Sequence, residues 1–225
     1  MNEKPFINMP RRKLPEKRRR ILDAAVWVFA RKGYFGARVS EIAQRAGIAD
    51  GTVYLYFENK EDILVSLFDE VMSEHVRKGR LELEAVEGAG ARLLVVARHH
   101  LRLLGGNRDL AVVFQVELRQ STKFMERFTA GWLKDYLAII SEVLEEGRRN
   151  GTLRTDVPLT LATKVFFGAL DEMVTSWILS PRDYDLVRQA GPMVDLFLRG
   201  AGVAETSGAA GSGPRAHAVL TGGER

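Results

Sequence analysis

Two sets of side chains in this 225-residue sequence are of a type and spacing that could do chemistry. The first is polar and cationic and lies between Arg38 and Lys60: Arg38, Ser40, Gly51, Thr52, Tyr54, Tyr56 and Lys60. Hydroxyls, cations and a side-chain-free glycine in so short a span suit contact with a polyanion, in which phosphates are held by cations and hydroxyls while a small residue lets backbone approach a groove. The second set is embedded among apolar helical residues. Glu117, Arg119 and Gln120 follow Phe114, Asp171 and Glu172 interrupt the run Phe166–Trp177, and His99 and His100 sit in an otherwise apolar stretch. Charge inside apolar packing must be paired or put to use. An ion pair of Arg119 with Asp171 or Glu172 is one expectation, and recognition of a ligand is the other. The groups of catalysis are missing. There is no cysteine, and the four histidines (His75, His99, His100 and His217) lack metal-ligand spacing. No glycine-rich phosphate loop and no serine elbow occurs. The chain reads as a binding protein, with no cofactor and no metal, and not as an enzyme.

Charge separates the same two regions. Residues 1–60 hold 13 Lys/Arg against 6 Asp/Glu, and residues 61–225 hold 20 against 23. A basic head on a mildly acidic body points to nucleic acid as the partner of the head. Apolar runs such as Ala24–Ala30 are too short to cross a bilayer. The basic N-terminus lacks the apolar run of a secretory signal. The expected location is the cytoplasm, without a membrane partner.

The elements that must position these groups are helices, because no run alternates with period two. Residues 1–14 read as a flexible basic arm, residues 15–60 as a DNA-binding head, residues 61–200 as a ligand-binding and dimerisation domain, and residues 201–225, rich in Gly, Ala and Ser, as a disordered tail. In the head, Ile21, Ala25, Val28 and Phe29 share a helical face, with Gly33 as a stop. Helices follow over Val39–Ala46 and about Asp50–Phe57, and a fourth starts near Lys60. Gly47 supplies the turn between the second and third, Ile48 plugs their angle, and Asp50 is placed to cap the third. The spacing then predicts helices over about Ala91–Leu104, Arg108–Arg119 and Thr122–Arg149, one opening at Pro158 and reaching Leu179, and a last one over Asp183–Arg199.

With Ile42, Ala43, Ala46, Gly47, Gly51, Thr52, Tyr54, Tyr56, Phe57, Lys60 and Leu64 in place, the stretch Arg18–Leu64 resembles the DNA-binding domain of the TetR family of repressors. That resemblance implies an all-α, TetR-like fold of about nine helices. It also implies a homodimer reading a palindromic double-stranded operator, one recognition helix per half-site. The chain departs from the family at Arg38, where a Thr or Ser usually caps the second helix. A lost cap costs about 1 kcal/mol.

The body, over Leu110–Leu186, resembles the FadR-type fatty-acid-degradation regulators of the same family. The carriers are Leu110-Ala-Val-Val-Phe-Gln-Val-Glu-Leu-Arg-Gln-Ser121, Gly168-Ala-Leu-Asp-Glu172, Trp177 and Tyr184-Asp-Leu186. The resemblance implies repression relieved by long-chain acyl-CoA, with the acyl chain in a tunnel and arginines at its mouth. Phe114, Glu117, Arg119, Gln120, Phe128, Trp132, Phe166, Phe167, Leu170 and Trp177 are the expected ligand-binding residues, and Arg98, Arg102, Arg148 and Arg149 the candidates for the mouth. Apolar stripes through Leu161, Val165, Leu170, Met173 and Val174, and through Leu186, Val187, Ala190, Met193, Val194 and Phe197, suit a dimeric four-helix bundle. The alternative is a TetR-type repressor of drug efflux sensing aromatic cations, with Asp171 and Glu172 as the acids that would attract them.

Overall fold

The computed structural model describes residues 16–120, 124–126 and 131–202. Every regular element among them is helical, and the one extended pairing is an isolated antiparallel bridge between Leu153 and Gly202. The all-α expectation holds. The expected arm lies outside the described residues, as do nearly all of the expected tail and Phe128.

Three helices form the head. Helix α1 (Glu16–Gly36) buries Ile21, Leu22, Ala25, Val28 and Phe29. It does not end at Gly33 as expected. Gly33 takes φ 70° and ψ 159°, and the chain resumes its helical path to Gly36 across a kink. A side chain would strain that backbone, and glycine adopts it freely. Helix α2 (Val39–Ala46) presents Ile42, Ala43 and Ala46 to α1. Gly47 closes it in the left-handed region at φ 66°. Its N–H donates to the Gln44 carbonyl at 3.1 Å, and the Ile48 N–H to the Ala43 carbonyl at 3.1 Å, the paired bonds of a Schellman motif. The Arg20 guanidinium donates to the Ala46 carbonyl and locks the same turn from outside. Helix α3 is shorter than expected. It covers Asp50–Val53 and relaxes into a turn over residues 54–56. Asp50 is its first helical residue, not its cap. That position belongs to Ala49, which makes no side-chain bond, and Asp50 acts only by placing a carboxylate in the positive first turn.

Helix α4 (Lys60–Glu84) joins head to body, with the Asn59 side chain accepting from the Asp62 N–H at 2.9 Å as its cap. Helix α5 (Ala89–Gly105) is the axis of the body. Leu93, Ala97 and Leu101 are fully buried, and it packs against α4 and the last three helices. The expected helix Arg108–Arg119 is three geometries in series: α6 (Arg108–Val112), a π-helical turn over Val113–Glu117, and a 3-10 turn over Leu118–Gln120. The expected helix Thr122–Arg149 is not continuous: residues 124–126 are helical, but the helical path breaks at residue 131. Gly131, at φ −107° and ψ −111°, leaves the helical region just before α7 (Trp132–Arg149). Helix α8 (Leu159–Leu179) follows Pro158, which stands at its N-cap, outside the first turn. A 3-10 turn over Leu186–Gln189, capped by Asp185, leads into α9 (Ala190–Ala201) in place of one helix from Asp183.

Candidate functional site

The outward groups of the head gather around α2 and α3. Arg38, Ser40 and Gly51 are exposed, Thr52 and Tyr56 half-buried, and Tyr54 is 55% exposed. Val53 and Phe57 are inside, so two residues four apart hold the core while those between them turn outward. A Cβ at Gly51 would meet nothing within 4 Å. No packing inside the chain demands glycine there, whereas a backbone pressed into a groove would. Arg38 makes no side-chain cap, yet the N-terminus of α2 is not bare. The Glu41 carboxylate accepts from the Arg38 N–H at 3.0 Å, the reciprocal half of a capping box, and is itself paired with Lys32. Lys60 is engaged differently from expectation. Its ammonium donates to the carbonyls of Ala37 (2.9 Å) and Phe35 (3.3 Å) and sits 4.6 Å over the Tyr34 ring. Partial burial pulls its pKa down. It clamps the C-terminal end of α1 to α4, which leaves Arg38 as the exposed cation of the expected set.

The body encloses a cavity of about 110 Å³ between α4, α5, the π turn, α7 and α8. Of the expected ligand residues, Phe114, Arg119 and Phe167 line it. Phe166 is fully buried against Phe197 (4.9 Å between ring centroids), and Leu170 is core. The Trp132 indole donates to Asp69 at 2.8 Å, and that of Trp177 to the Tyr184 carbonyl at 3.1 Å, with Arg108 over its ring. Gln120 is exposed. Neither tryptophan nor Gln120 lines the cavity. The anticipated ion pair is present. Arg119 reaches both carboxylate oxygens of Asp171, at 2.8 and 2.7 Å, and Gln115 donates to the same carboxylate at 3.0 Å. Beyond the expected set, two imidazoles and a phenol complete the wall, and of these His75 carries no ligand reading in the sequence. His75, His100 and Tyr136 line the cavity, and Tyr136 OH lies 3.1 Å from His100 Nδ1. His75 stacks on His99 at 4.3 Å between centroids. Burial depresses His75 well below the ordinary histidine range, helped by His99 and His100. Burial likewise takes His100 down to about 4, against the pull of Asp171, and pushes the Tyr136 hydroxyl upward. All three are neutral near pH 7. The pairing of histidines on α4 and α5 with a tyrosine on α7 has no local signature, although His100 in an apolar stretch was the available hint.

Glu117 departs furthest from expectation. It is buried but does not line the cavity. Its carboxylate accepts from the Tyr34 N–H at 2.6 Å, just past the α1 kink, and a Cβ at Gly33 would lie 3.5 Å from it. Phe124 stacks edge-on against the Tyr34 ring at 4.9 Å, and Arg31 of α1 pairs with Asp109 of α6 at 2.7 Å. The π turn therefore faces two ways. Phe114 and Gln115 line the cavity, and Glu117 holds the head. A π turn adds a residue to a helical turn and so re-aims the side chains on either side of it.

None of Arg98, Arg102, Arg148 and Arg149 lines this cavity. Arg148 borders a second, open apolar groove of about 380 Å³ along α7, α8 and α9, where Leu161, Val165 and Leu196 stand more than half exposed. The stripes expected for dimer contact split accordingly. Leu170, Val174, Leu186, Ala190, Met193 and Val194 pack inside the chain, and Leu161 and Val165 face outward. Among the described residues no helix is long and apolar enough to cross a membrane, and no cluster could hold a metal.

Residues 21–67 match the model of the bacterial regulatory proteins of the tetR family, and residues 68–200 that of the YsiA-like protein C-terminal region. The chain is 41% identical over 180 residues to the fatty acid metabolism regulator protein of Bacillus subtilis, covering 80% of this chain and 93% of that one. It superposes with TM-score 0.76 on the transcriptional regulator FadR from Bacillus subtilis in complex with stearoyl-CoA, at 41% identity, covering 80% of this chain and 97% of that chain. It superposes with TM-score 0.79 on the fatty acid degradation regulator FadR from Bacillus halodurans, also at 41% identity, covering 84% and 97%.

Proposed function

The chain belongs to the TetR family of bacterial transcriptional regulators, and from that premise we propose that it represses fatty-acid-degradation genes and leaves its operator when long-chain acyl-CoA enters the body. The observation that carries the release mechanism is the two-faced π turn. The cavity, at about 110 Å³, is smaller than the roughly 300–1,000 Å³ of pockets that enclose a ligand. A long acyl chain must therefore widen it. Phe114, stacked edge-on on Phe68 at 4.7 Å, is in the way. Displacing Phe114 moves the turn that carries Glu117, and with it the bond to Tyr34 that fixes the head. The two recognition segments of a homodimer then lose the spacing of one DNA turn, about 34 Å, that a palindrome demands. Arg119, partly exposed and lining the cavity, is the cation within reach of the polar end of the effector once it exchanges its bond to Asp171 for a CoA oxygen. Asp171 is already committed to Arg119, so an aromatic cation finds no free acid there. The outward stripe Leu161, Val165 and Leu196 is the surface for the second protomer. Arg38, Ser40, Gly51, Thr52, Tyr54 and Tyr56 face the operator, with Lys60 acting through the clamp.

The test is fluorescence anisotropy of the protein on DNA from upstream of its own gene, titrated with stearoyl-CoA. Release at micromolar stearoyl-CoA, with free CoA inert, is the expected result. Tight DNA binding indifferent to stearoyl-CoA overturns the effector, and aromatic cations are then tried in its place.

A further inference from the structure

The cavity of an acyl-chain site needs only hydrocarbon walls, yet this one is lined by His75, His100 and Tyr136. Burying such groups is unfavourable unless each is hydrogen-bonded. Tyr136 OH and His100 Nδ1 satisfy each other at 3.1 Å. The phenol is the stronger donor of the two and is held protonated by burial, so it donates to Nδ1, and the ring proton of His100 resides on Nε2. That Nε2 is fully buried and has no hydrogen-bond partner among the described residues. The N–H belongs to a ring packed edge-on against Phe167 at 6.2 Å and stacked on Tyr136, and both of those residues line the cavity. A neutral donor fixed in place by its neighbours, on a ring that lines the cavity, is a site for one neutral acceptor atom.

Resting on the acyl-CoA reading above, we propose that His100 Nε2–H, oriented by Tyr136, is the subsite for the thioester carbonyl oxygen of the effector and distinguishes a thioester from other tethers of an alkyl chain to CoA. Arg119 lines the same cavity but is held by Asp171, and the pantetheine arm keeps the CoA phosphates well away from the thioester, so the carbonyl subsite does not depend on that cation. A carbonyl carries no net charge and fits a neutral imidazole. A free fatty-acid carboxylate would have to give up its hydration with no cation beside His100 except one already paired.

The experiment compares the affinity of the full-length protein for dodecanoyl-CoA with that for S-dodecyl-CoA, the thioether that lacks the carbonyl, by isothermal titration calorimetry. Wild type should prefer the thioester by about tenfold, the yield of one buried hydrogen bond. His100→Leu should lose that preference, the ratio of the two affinities falling to about one, and His100→Gln, which keeps a donor, should restore part of it. Tyr136→Phe removes the orienting hydroxyl at nearly constant volume. It should lower the preference by itself, which preserves the test should His100→Leu fail to fold. Equal affinities in wild type, or a preference that survives in Tyr136→Phe and in whichever His100 variants fold, overturn the carbonyl subsite and leave the acyl-CoA reading standing. Binding of neither ligand to wild type overturns both.

Discussion

The groups that face outward from the head come from one stretch of about twenty residues, and each is placed by its immediate neighbours. Gly47 turns the chain, Glu41 caps the Arg38 N–H, and Val53 and Phe57 anchor the segment that exposes Thr52 and Tyr54. The body assembles its site from remote parts. Gln115 meets Asp171 across 56 positions, His100 meets Tyr136 across 36, and Glu117 meets the Tyr34 N–H across 83. The difference teaches where function can be separated from folding. A head residue with no internal contact can change without cost to stability. A buried polar group of the body serves fold and ligand together, and its loss is felt in both.

Gly51→Leu tests the first half of that contrast hardest. With nothing within 4 Å of the added Cβ, thermal stability should stay within about 0.5 kcal/mol. Operator affinity, read by anisotropy, should fall by about a hundredfold or more as the side chain keeps the backbone out of the groove. A parallel loss of stability would mean that the glycine serves the fold. Next in size is Val165→Glu on the outward stripe of α8, which should convert a dimer to monomer in sedimentation equilibrium while leaving the helical circular dichroism intact. An unchanged dimer would move the interface elsewhere.

The second half of the contrast predicts a pH dependence that belongs to the body. His75 and His100 are depressed in the folded chain, so the unfolded chain binds their protons first as pH falls. Their neutral burial contributes its full stability above about pH 6.5. The contribution is lost as pH drops from there toward the folded value of about 4 for His100. Between those limits His100 alone should cost about 1.4 kcal/mol per pH unit, His75 acts in the same direction, and His100→Leu should flatten the slope in denaturant unfolding. A slope unaltered in that variant would place the acid sensitivity elsewhere. The smallest effect belongs to the head. Arg38→Thr restores the missing cap and should add about 1 kcal/mol, raising Tm by about 2–4 °C, while weakening operator binding. If stability does not rise, the Glu41 bond already supplies the full cap.

The same contrast explains what was legible. Caps, turns and apolar periodicity are local, so the all-α class, α1, α2, the Gly47 turn and the inward Val53 and Phe57 could be read from residue order. The shortening of α3 could not, because Val53 and Phe57 keep the i,i+4 spacing of a helix while only the fold ends the helix at Val53. In the body, large aromatic residues marked the region without separating core from cavity. Phe166 and Phe167 are adjacent, yet one is sealed against Phe197 and the other lines the cavity. Glu117 was legible as a buried acid needing a partner. That the partner would be a backbone N–H exposed by the Gly33 kink depends on a π turn, which has no sequence signature of its own.

The central claim is that Glu117 carries the message from cavity to head. The direct measurement is the coupling between two ligands, as the ratio of operator affinities with and without saturating stearoyl-CoA, in wild type and in Glu117→Gln. Linkage makes this ratio a property of the transmission, independent of how tightly either ligand binds alone. Wild type should show a ratio of about a hundredfold, in the usual range of allosteric coupling. Glu117→Gln keeps an acceptor oxygen but weakens the charged bond to Tyr34. It should bind DNA and stearoyl-CoA separately with modest losses, yet show a ratio below about tenfold. A ratio equal to that of wild type would contradict the account and place the transmission outside the π turn.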